Sequence, residues 1–226
     1  EKFAHHRVAV PLGVFLDRLA DVAQVLAWLR AHAAPQADLH LDSRSVRAGD
    51  VFVACIGLHN DGRGYIDQAL ARGASAVIYE AEGAEVTTNI GPALAVRGLR
   101  GLLGLLADEW YGRPSVALSV VAVTGTNGKT SCVQWVAQAL TRLGRPCGTL
   151  GTLGALLPDG TSLGGTLTTP DVLSVHRALA AMRAAGAVAV ALEASSIGLD
   201  QGRLDGVRIS VAGFTNLTRD HLDYHG

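Results

Sequence analysis

The sequence contains almost no lysine. Nineteen of its 226 residues are basic, but only Lys2 and Lys129 are lysines, so a lysine inside a glycine-rich loop departs from the background usage of the chain. The basic residues form no run and no basic helix face, and the formal net charge is −1. These absences argue against a nucleic-acid-binding protein.

Long hydrophobic runs, a leader pattern and paired cysteines are also missing. No segment approaches the roughly 18 apolar residues of a membrane span, and the N-terminus lacks the order of a signal peptide. The three cysteines, Cys55, Cys132 and Cys147, are odd in number and lack metal-ligand spacing. We therefore expect reduced core thiols in a soluble cytoplasmic protein that does not insert into membranes. We also expect the protein to be a monomer. The length of 226 residues is enough for one large or two ordinary domains, and the hydrophobic content of 49% provides material for their cores.

The clearest motif is LSVVAVTGTNGKT at residues 118–130. Its valines show no polar alternation, as expected for a parallel strand that is buried on both faces. Gly125 and Gly128 permit backbone conformations that other residues avoid, and the free N–H groups of such a loop can surround phosphate oxygens at a helix start. The motif therefore predicts a strand that leads into a phosphate-binding loop.

Residues after the loop fit the same prediction. Lys129 can neutralise terminal phosphates and the Thr130 hydroxyl can hold Mg2+. Apolar residues then recur at helical spacing as far as Gly144. The common pattern of such loops has a glycine where this chain has Val123, so a glycine-rich turn followed by an incidental lysine is the alternative.

Strand and helix signals alternate on both sides of this loop. Before it, they predict a helix over residues 12–32, strands at 39–43, 50–57, 74–80 and 93–96, helices at 65–73 and 101–112, and a linker at 113–115. After it, hydrophobic strands joined by helices predict a mostly parallel sheet with helices on both faces. We therefore predict an α/β protein with a mixed α/β domain over residues 1–113 and a second α/β domain over residues 114–226.

Ligands of such sheets bind at the carboxyl ends of the strands. Glu193 ends an apolar strand, where its carboxylate can reach a Mg2+ ion held by Thr130, and Asn216 follows the last strand. His221 can face the same site or be a hydrogen-bonded loop residue. His221 and His225 have the i, i+4 spacing of a zinc pair, but no third ligand pattern accompanies them.

Two further segments have local explanations. Asp42, Ser43 and Arg44 fit a polar turn, and the residues before Asp171 fit a helix entry that Asp171 caps.

TGTNGKT resembles the phosphate-binding loop of the Mur ligase superfamily, the ATP-dependent peptide synthetases of peptidoglycan precursor assembly. Other segments follow in the order of that family: DSRSVRAGDVFVACIG, GLHNDGRGYI, TTPD, EASSIGL, QGR and TNLTRDHLDYHG. Together they resemble the members that add the third residue of the stem peptide. The chain departs from the family at Ile197 and Leu167, often His and Asn there, so we assign neither a contact.

The resemblance implies an N-terminal uridine-nucleotide-binding domain followed by a truncated P-loop-type ATPase domain. It implies a cytoplasmic ATP- and Mg2+-dependent acid–amino-acid ligase that extends UDP-N-acetylmuramoyl-L-alanyl-D-glutamate through an acyl phosphate. The added amino acid is meso-diaminopimelate or L-lysine; we favour meso-diaminopimelate, and we expect the residues that select between the two in a domain beyond Gly226. Such an enzyme serves cell wall biogenesis and, through it, cell shape, cell division and the cell cycle.

The resemblance also implies a set of site residues. Lys129, Glu193 and His221 would be catalytic, and Thr130, Glu193 and His221 would surround the magnesium ions. ATP would contact Gly125, Thr126, Asn127, Gly128, Lys129, Thr130 and Ser131. The UDP-linked substrate would contact Leu41, Ser43, Leu58, His59, Asn60, Thr168, Thr169, Ser195, Gln201 and Arg203.

The family also needs a carbamylated lysine and an amino-acid-binding domain, which we expect beyond Gly226, so residues 1–226 alone should form no peptide bond. Three alternatives stay open: a sister ligase that adds D-Ala-D-Ala, a folylpolyglutamate synthetase-like ligase, and a non-catalytic nucleotide-binding module. A folate enzyme is not expected to carry DSRSVRAGD, and a nucleotide-binding module does not need a second, substrate-like domain.

Overall fold

The computed structural model describes residues 12–57, 60–83, 91–164, 170–219 and 224. Within these ranges, the surroundings of the side chains are described from residue 21 onward. The chain divides into two compact units, Glu1–Leu106 and Ala107–Gly226. The domain boundary after residue 113 stays a prediction from sequence. Among the helices in the described ranges, none is both long and apolar enough to cross a membrane.

The first unit is built on four parallel strands in the order β1-β2-β3-β4. Its elements in chain order are α1 (Leu12–His32), β1 (Leu39–His40), β2 (Val51–Ala54), α2 (Ile66–Ala71), β3 (Ala76–Glu80), β4 (Ala93–Val96) and α3 (Leu99–Trp110), of which α3 continues into the second unit. Short 3-10 helices follow β1 at Ser43–Ser45 and precede α2 at Gly62–Tyr65.

Burial explains why these short strands form. All four side chains of β2 are buried, and Phe52 and Ala54 pack against Ile66 and Ala69 of α2. The buried carboxylate of Glu80, at the end of β3, accepts hydrogen bonds from the N–H groups of Gly98 and Leu99 at 3.0 and 2.9 Å. A buried charge is tolerated because it satisfies orphan N–H groups at the start of α3.

The second unit contains a five-stranded sheet in the order β7-β6-β8-β5-β9. Its elements are α4 (Pro114–Ala117), β5 (Ser119–Thr124), α5 (Lys129–Arg142), β6 (Cys147–Gly151), β7 (Gly154–Leu156), α6 (Val172–Ala184), β8 (Ala189–Glu193), α7 (Ser196–Asp200) and β9 (Val211–Phe214). Every neighbouring pair is parallel except β6 and β7.

Helices cover both faces of this sheet. Alternate residues of β8 face opposite ways: Val190 and Leu192 share a core with Met182 of α6, whereas Ala189 and Ala191 share one with α5. A strand that packs on both sides carries no polar alternation, which is why its sequence is a continuous apolar run. The predicted α/β class with parallel sheets is confirmed.

Three local features differ from the sequence prediction or sharpen it. One of the strand signals after the loop, GTLGALL at residues 151–157, contains a turn at Thr152, after which the chain returns antiparallel as β7. The predicted linker instead enters α4, with Pro114 and Ser115 buried. Asp171 caps α6 as predicted, since its Oδ1 accepts hydrogen bonds from the N–H groups two and three residues on at 3.0 and 3.1 Å.

A candidate phosphate-binding site at the carboxyl edge of the second sheet

The loop between β5 and α5 depends on two glycines. Gly128 has φ +85° and Gly125 has φ +121°, conformations that L side chains rarely adopt. A Cβ atom at Gly125 would also overlap Thr215 Oγ1 and lie 2.9 Å from the backbone oxygen of Asn216. Only glycine therefore allows the loop to approach the segment after β9 so closely.

That segment holds the first half of the loop. The Thr126 N–H donates to the Asn216 carbonyl at 2.8 Å, and the Asn127 N–H donates to Asn216 Oδ1 at 3.1 Å. In return Asn216 Nδ2 and Thr215 Oγ1 donate to the Asn127 carbonyl at 3.1 and 2.7 Å. The backbone donors that suit a phosphate are therefore those at the start of α5, where an α-helix leaves its first N–H groups without intrahelical partners.

Lys129 folds back over the same loop. Its Nζ donates hydrogen bonds to the carbonyls of Gly125 at 2.6 Å and Thr126 at 2.9 Å. Lys129 is the first residue of α5, so its ammonium group lies at the loop. There it can interact with the negative charge of a phosphate group bound at the helix start. A flexible four-carbon stem lets this cation exchange carbonyl oxygens for phosphate oxygens.

The structure brings Thr130 and Glu193 together. Thr130 Oγ1 donates to Glu193 Oε1 at 2.9 Å, although the two residues come from α5 and the end of β8. Glu193 is only 3% exposed. A hydroxyl and a carboxylate are hard oxygen ligands, so this pair fits Mg2+. His221, the third predicted metal ligand, lies outside the described residues.

Sequence reasoning missed Thr152, which also contacts this carboxylate. The Thr152 N–H donates to Glu193 Oε1 at 2.9 Å, and its Oγ1 donates to Oε2 at 3.1 Å. The available signal was a Gly-Thr pair at the end of the strand next to β8. Thr215 and Thr218 were missed as well, since their partners lie about ninety residues earlier in the chain.

The predicted uridine site lies in the first unit. Ser43 is buried, in the 3-10 helix after β1, and its Oγ donates to Gln68 Oε1 at 2.5 Å. Leu41 is half-buried, and Asn60 is exposed with its carbonyl bonded to the Gly57 N–H at 2.8 Å. Leu58 and His59 lie outside the described residues.

Three residues predicted to contact the UDP-linked substrate, Ser195, Gln201 and Arg203, flank α7. Ser195 caps this helix by accepting a hydrogen bond from the Gly198 N–H at 3.1 Å. Gln201 follows the helix, and its Oε1 accepts two bonds from the Arg203 guanidinium at 3.0 and 2.7 Å. Thr168 and Thr169 lie outside the described residues.

Other reactive groups have structural explanations. All three cysteines are free, and burial raises the pKa of Cys55 to about 12 and that of Cys147 to about 11, so both remain thiols. Asp50 lies with His40 and Asp38 in a group whose ligand atoms are within 4.8 Å of one another. Its carboxylate accepts hydrogen bonds from His40 Nε2 and the Asp38 N–H, both at 3.0 Å, which accounts for the group. His221 and His225, the histidines with the spacing of a zinc pair, lie outside the described residues.

A strand, a glycine-bracketed loop ending in Lys-Thr and a carboxylate at the end of the neighbouring strand define a doubly wound α/β protein with a candidate phosphate-binding loop. Family models agree: the Mur ligase middle domain matches residues 123–226, and the catalytic domain of the Mur ligase family matches residues 38–111. The chain belongs to the Mur ligase family, as its motifs predicted.

Individual relatives agree with this membership. The chain is 51% identical over 226 residues to the UDP-N-acetylmuramoyl-L-alanyl-D-glutamate--2,6-diaminopimelate ligase of Ralstonia nicotianae, a match that covers 96% of this chain and 43% of the relative. The chain thus spans less than half the length of the curated relatives it matches.

Solved structures give the same picture. A structure of a UDP-N-acetylmuramoyl-L-alanyl-D-glutamate--2,6-diaminopimelate ligase is 36% identical with a TM-score of 0.65, over 84% of this chain and 38% of that one. The MurF ligase of Thermotoga maritima, solved in complex with ADP, is 27% identical with a TM-score of 0.54, over 83% of this chain and 39% of that one.

Proposed function

We propose that the chain forms the uridine-nucleotide-binding and ATP-binding parts of an ATP-dependent ligase. This enzyme adds the third stem-peptide residue, meso-diaminopimelate in preference to L-lysine, to UDP-N-acetylmuramoyl-L-alanyl-D-glutamate. The observation that carries the proposal is the Thr130–Glu193 hydrogen bond of 2.9 Å beside the loop that holds Lys129. The name of the relative that is 51% identical supports the substrate.

The proposed site residues fall into three groups. Residues 125–131 hold the ATP phosphates, with Lys129 as the mobile cation, and residues 1–113 form the uridine-nucleotide domain. Mg2+ would be held by Thr130, Glu193 and His221 and would supply positive charge to the phosphates. The UDP-linked substrate would be held by Leu41, Ser43, Leu58, His59, Asn60, Thr168, Thr169, Ser195, Gln201 and Arg203.

The chemistry proceeds in two transfers. The terminal carboxylate of the UDP-linked dipeptide attacks the γ-phosphorus of ATP, and ADP leaves, so that an acyl phosphate forms. The amino group of the incoming amino acid then attacks the carbonyl carbon, loses a proton and expels phosphate. Because the first nucleophile and ATP are both anionic, the protein must hold them in line and neutralise charge, which is the work proposed for Lys129.

The sister ligase that adds D-Ala-D-Ala is the second candidate. The likeness to the MurF structure, with a TM-score of 0.54, favours it less than the TM-score of 0.65 favours the diaminopimelate ligase. We also propose that the protein is cytoplasmic, since both nucleotide substrates are water-soluble anions, and that it is a monomer. Offering the full-length protein diaminopimelate, lysine and D-Ala-D-Ala separately, and weighing the products by mass spectrometry, distinguishes the candidates.

Lys129→Ala provides the mutational test. We expect it to lower ligation by at least about a hundredfold, because removing such a charge contact costs roughly 3 kcal/mol of transition-state stabilisation. Lys2→Ala, which changes the other lysine of the chain, is the matched control and should keep the parental rate. Phosphate release and product formation with ATP, Mg2+ and both substrates measure the effect. A Lys129→Ala variant that keeps most of its activity refutes the assignment of the loop.

A further inference from the structure

We propose that Gly151 and Thr152 form a cradle that fixes the orientation of the Glu193 carboxylate, with Thr152 as a positioning residue for the metal–nucleotide site. The inference rests on the proposed ATP-binding function and extends it to a residue on a third strand. Thr152 lies in the turn directly after β6, the strand that pairs with β8 on the side away from β5.

Thr152 contacts both oxygens of the carboxylate. Its N–H donates to Oε1 at 2.9 Å and its hydroxyl donates to Oε2 at 3.1 Å. Rotation of the carboxylate about its last bond would lengthen both contacts together. Hydrogen bonds to a charged acceptor are stronger than those between neutral groups, and Glu193 is buried, so this two-point contact should hold one orientation.

Gly151 provides the space for the cradle. The β6–β8 register pairs Leu150 with Leu192, which puts Gly151 beside Glu193 on the neighbouring strand. A Cβ atom at Gly151 would overlap the Glu193 carboxylate, including Oε1. The backbone of Gly151 has no positive φ, so the glycine is required by the close approach of the acid and not by backbone strain.

The cradle has a consequence for Thr130. With the carboxylate held by Thr152, Oε1 faces the Thr130 hydroxyl at 2.9 Å, and the hydroxyls of Thr130 and Thr152 lie 3.5 Å apart. The lone pairs of Thr130 Oγ1 can then be presented to a cation while its proton points to Glu193. Thr152 therefore acts through Glu193 and Thr130, and it need not touch the nucleotide.

Two substitutions separate the hydroxyl from the shape of the side chain. Thr152→Val keeps the branched shape and the N–H contact but loses the bond to Oε2, whereas Thr152→Ser keeps the hydroxyl. We expect Thr152→Val in the full-length protein to reduce the Mg2+-dependent gain in ADP affinity by about tenfold, and Thr152→Ser to stay within about twofold of the parent. ADP affinity in excess EDTA should be the same in all three proteins. Titration calorimetry measures these affinities.

A crystal structure of the nucleotide-free Thr152→Val variant provides a second readout, in which we expect the carboxylate to have turned. The proposed cradle is refuted if this variant keeps the parental Mg2+ dependence, or if the valine and serine variants lose it equally. It is also refuted if the carboxylate of the valine variant has not turned. A parent that binds no nucleotide, together with a turned carboxylate in the valine variant, overturns the proposed function and leaves the cradle standing.

Discussion

Gly125→Ala should damage the phosphate-binding loop more than any ordinary glycine substitution. The backbone of Gly125 has φ +121°, and holding an alanine in such a conformation costs about 1–3 kcal/mol. The new methyl group would also overlap Thr215 Oγ1, so the segment after β9 must move. That movement would break two hydrogen bonds, the 2.8 Å bond from the Thr126 N–H to the Asn216 carbonyl and the 2.7 Å bond from Thr215 Oγ1 to the Asn127 carbonyl. Each bond contributes about 1 kcal/mol.

The expected total loss of unfolding free energy is therefore about 3–5 kcal/mol. Gly160→Ala is the matched control, because Gly160 has φ +86° but a Cβ atom added there would meet nothing within 4 Å. It should cost about 1 kcal/mol from backbone strain alone. Urea unfolding of both variants, followed by circular dichroism, gives the difference. Equal losses in the two variants would mean that the contact between the loop and the segment after β9 does not stabilise the protein, and the prediction would be wrong.

Two further predictions test the first unit and the buried charges. Ser43→Ala should weaken UDP binding, measured by calorimetry, about tenfold, because it removes a buried hydroxyl. Ser45 is an exposed serine in the same 3-10 helix, so Ser45→Ala should leave the affinity unchanged. Equal affinities of the two variants would contradict the assignment. Burial raises the pKa of Asp108, opposed by Arg113, so the folded state favours the protonated carboxyl and loses stability as pH rises through that raised pKa. Asp108→Asn should abolish this loss, so the free energy of unfolding of this variant should fall less with pH than that of the parent when both are unfolded in urea between about pH 4 and 8. Parallel curves would show that the pKa of Asp108 is the same in the folded and unfolded states, which would contradict the prediction.

Local patterns made the fold and part of the candidate site predictable. The apolar run before Gly125, the Lys-Thr pair and the Asp171 cap each depend on residues within a few positions of one another, so their signals are complete in the sequence. Glu193 was found because it ends an apolar strand of the same sheet as the loop strand, where a carboxylate can reach a Mg2+ ion held by Thr130. By contrast, Thr152 acts through the pairing of β6 with β8 and lies 41 residues from Glu193 in the chain. Asn216 was placed at the carboxyl edge because it follows the last strand, but its bonds to the loop depend on the pairing of β5 with β9. Threonine and asparagine are common in turns, so their residue types did not indicate these contacts.

Val123 shows why the loop departs from the common pattern without losing its shape. Where that pattern has its first glycine, Val123 is 5% exposed and shares a core with Val133 and Ala137 of α5. A glycine there would remove apolar contacts between the strand and the helix that presents Lys129. The conformational freedom is instead supplied at Gly125, two residues later, where the backbone meets the Asn216 segment. The geometry of this loop therefore depends on β9 as well as on its own glycines, and a motif search confined to the loop could not have found that dependence.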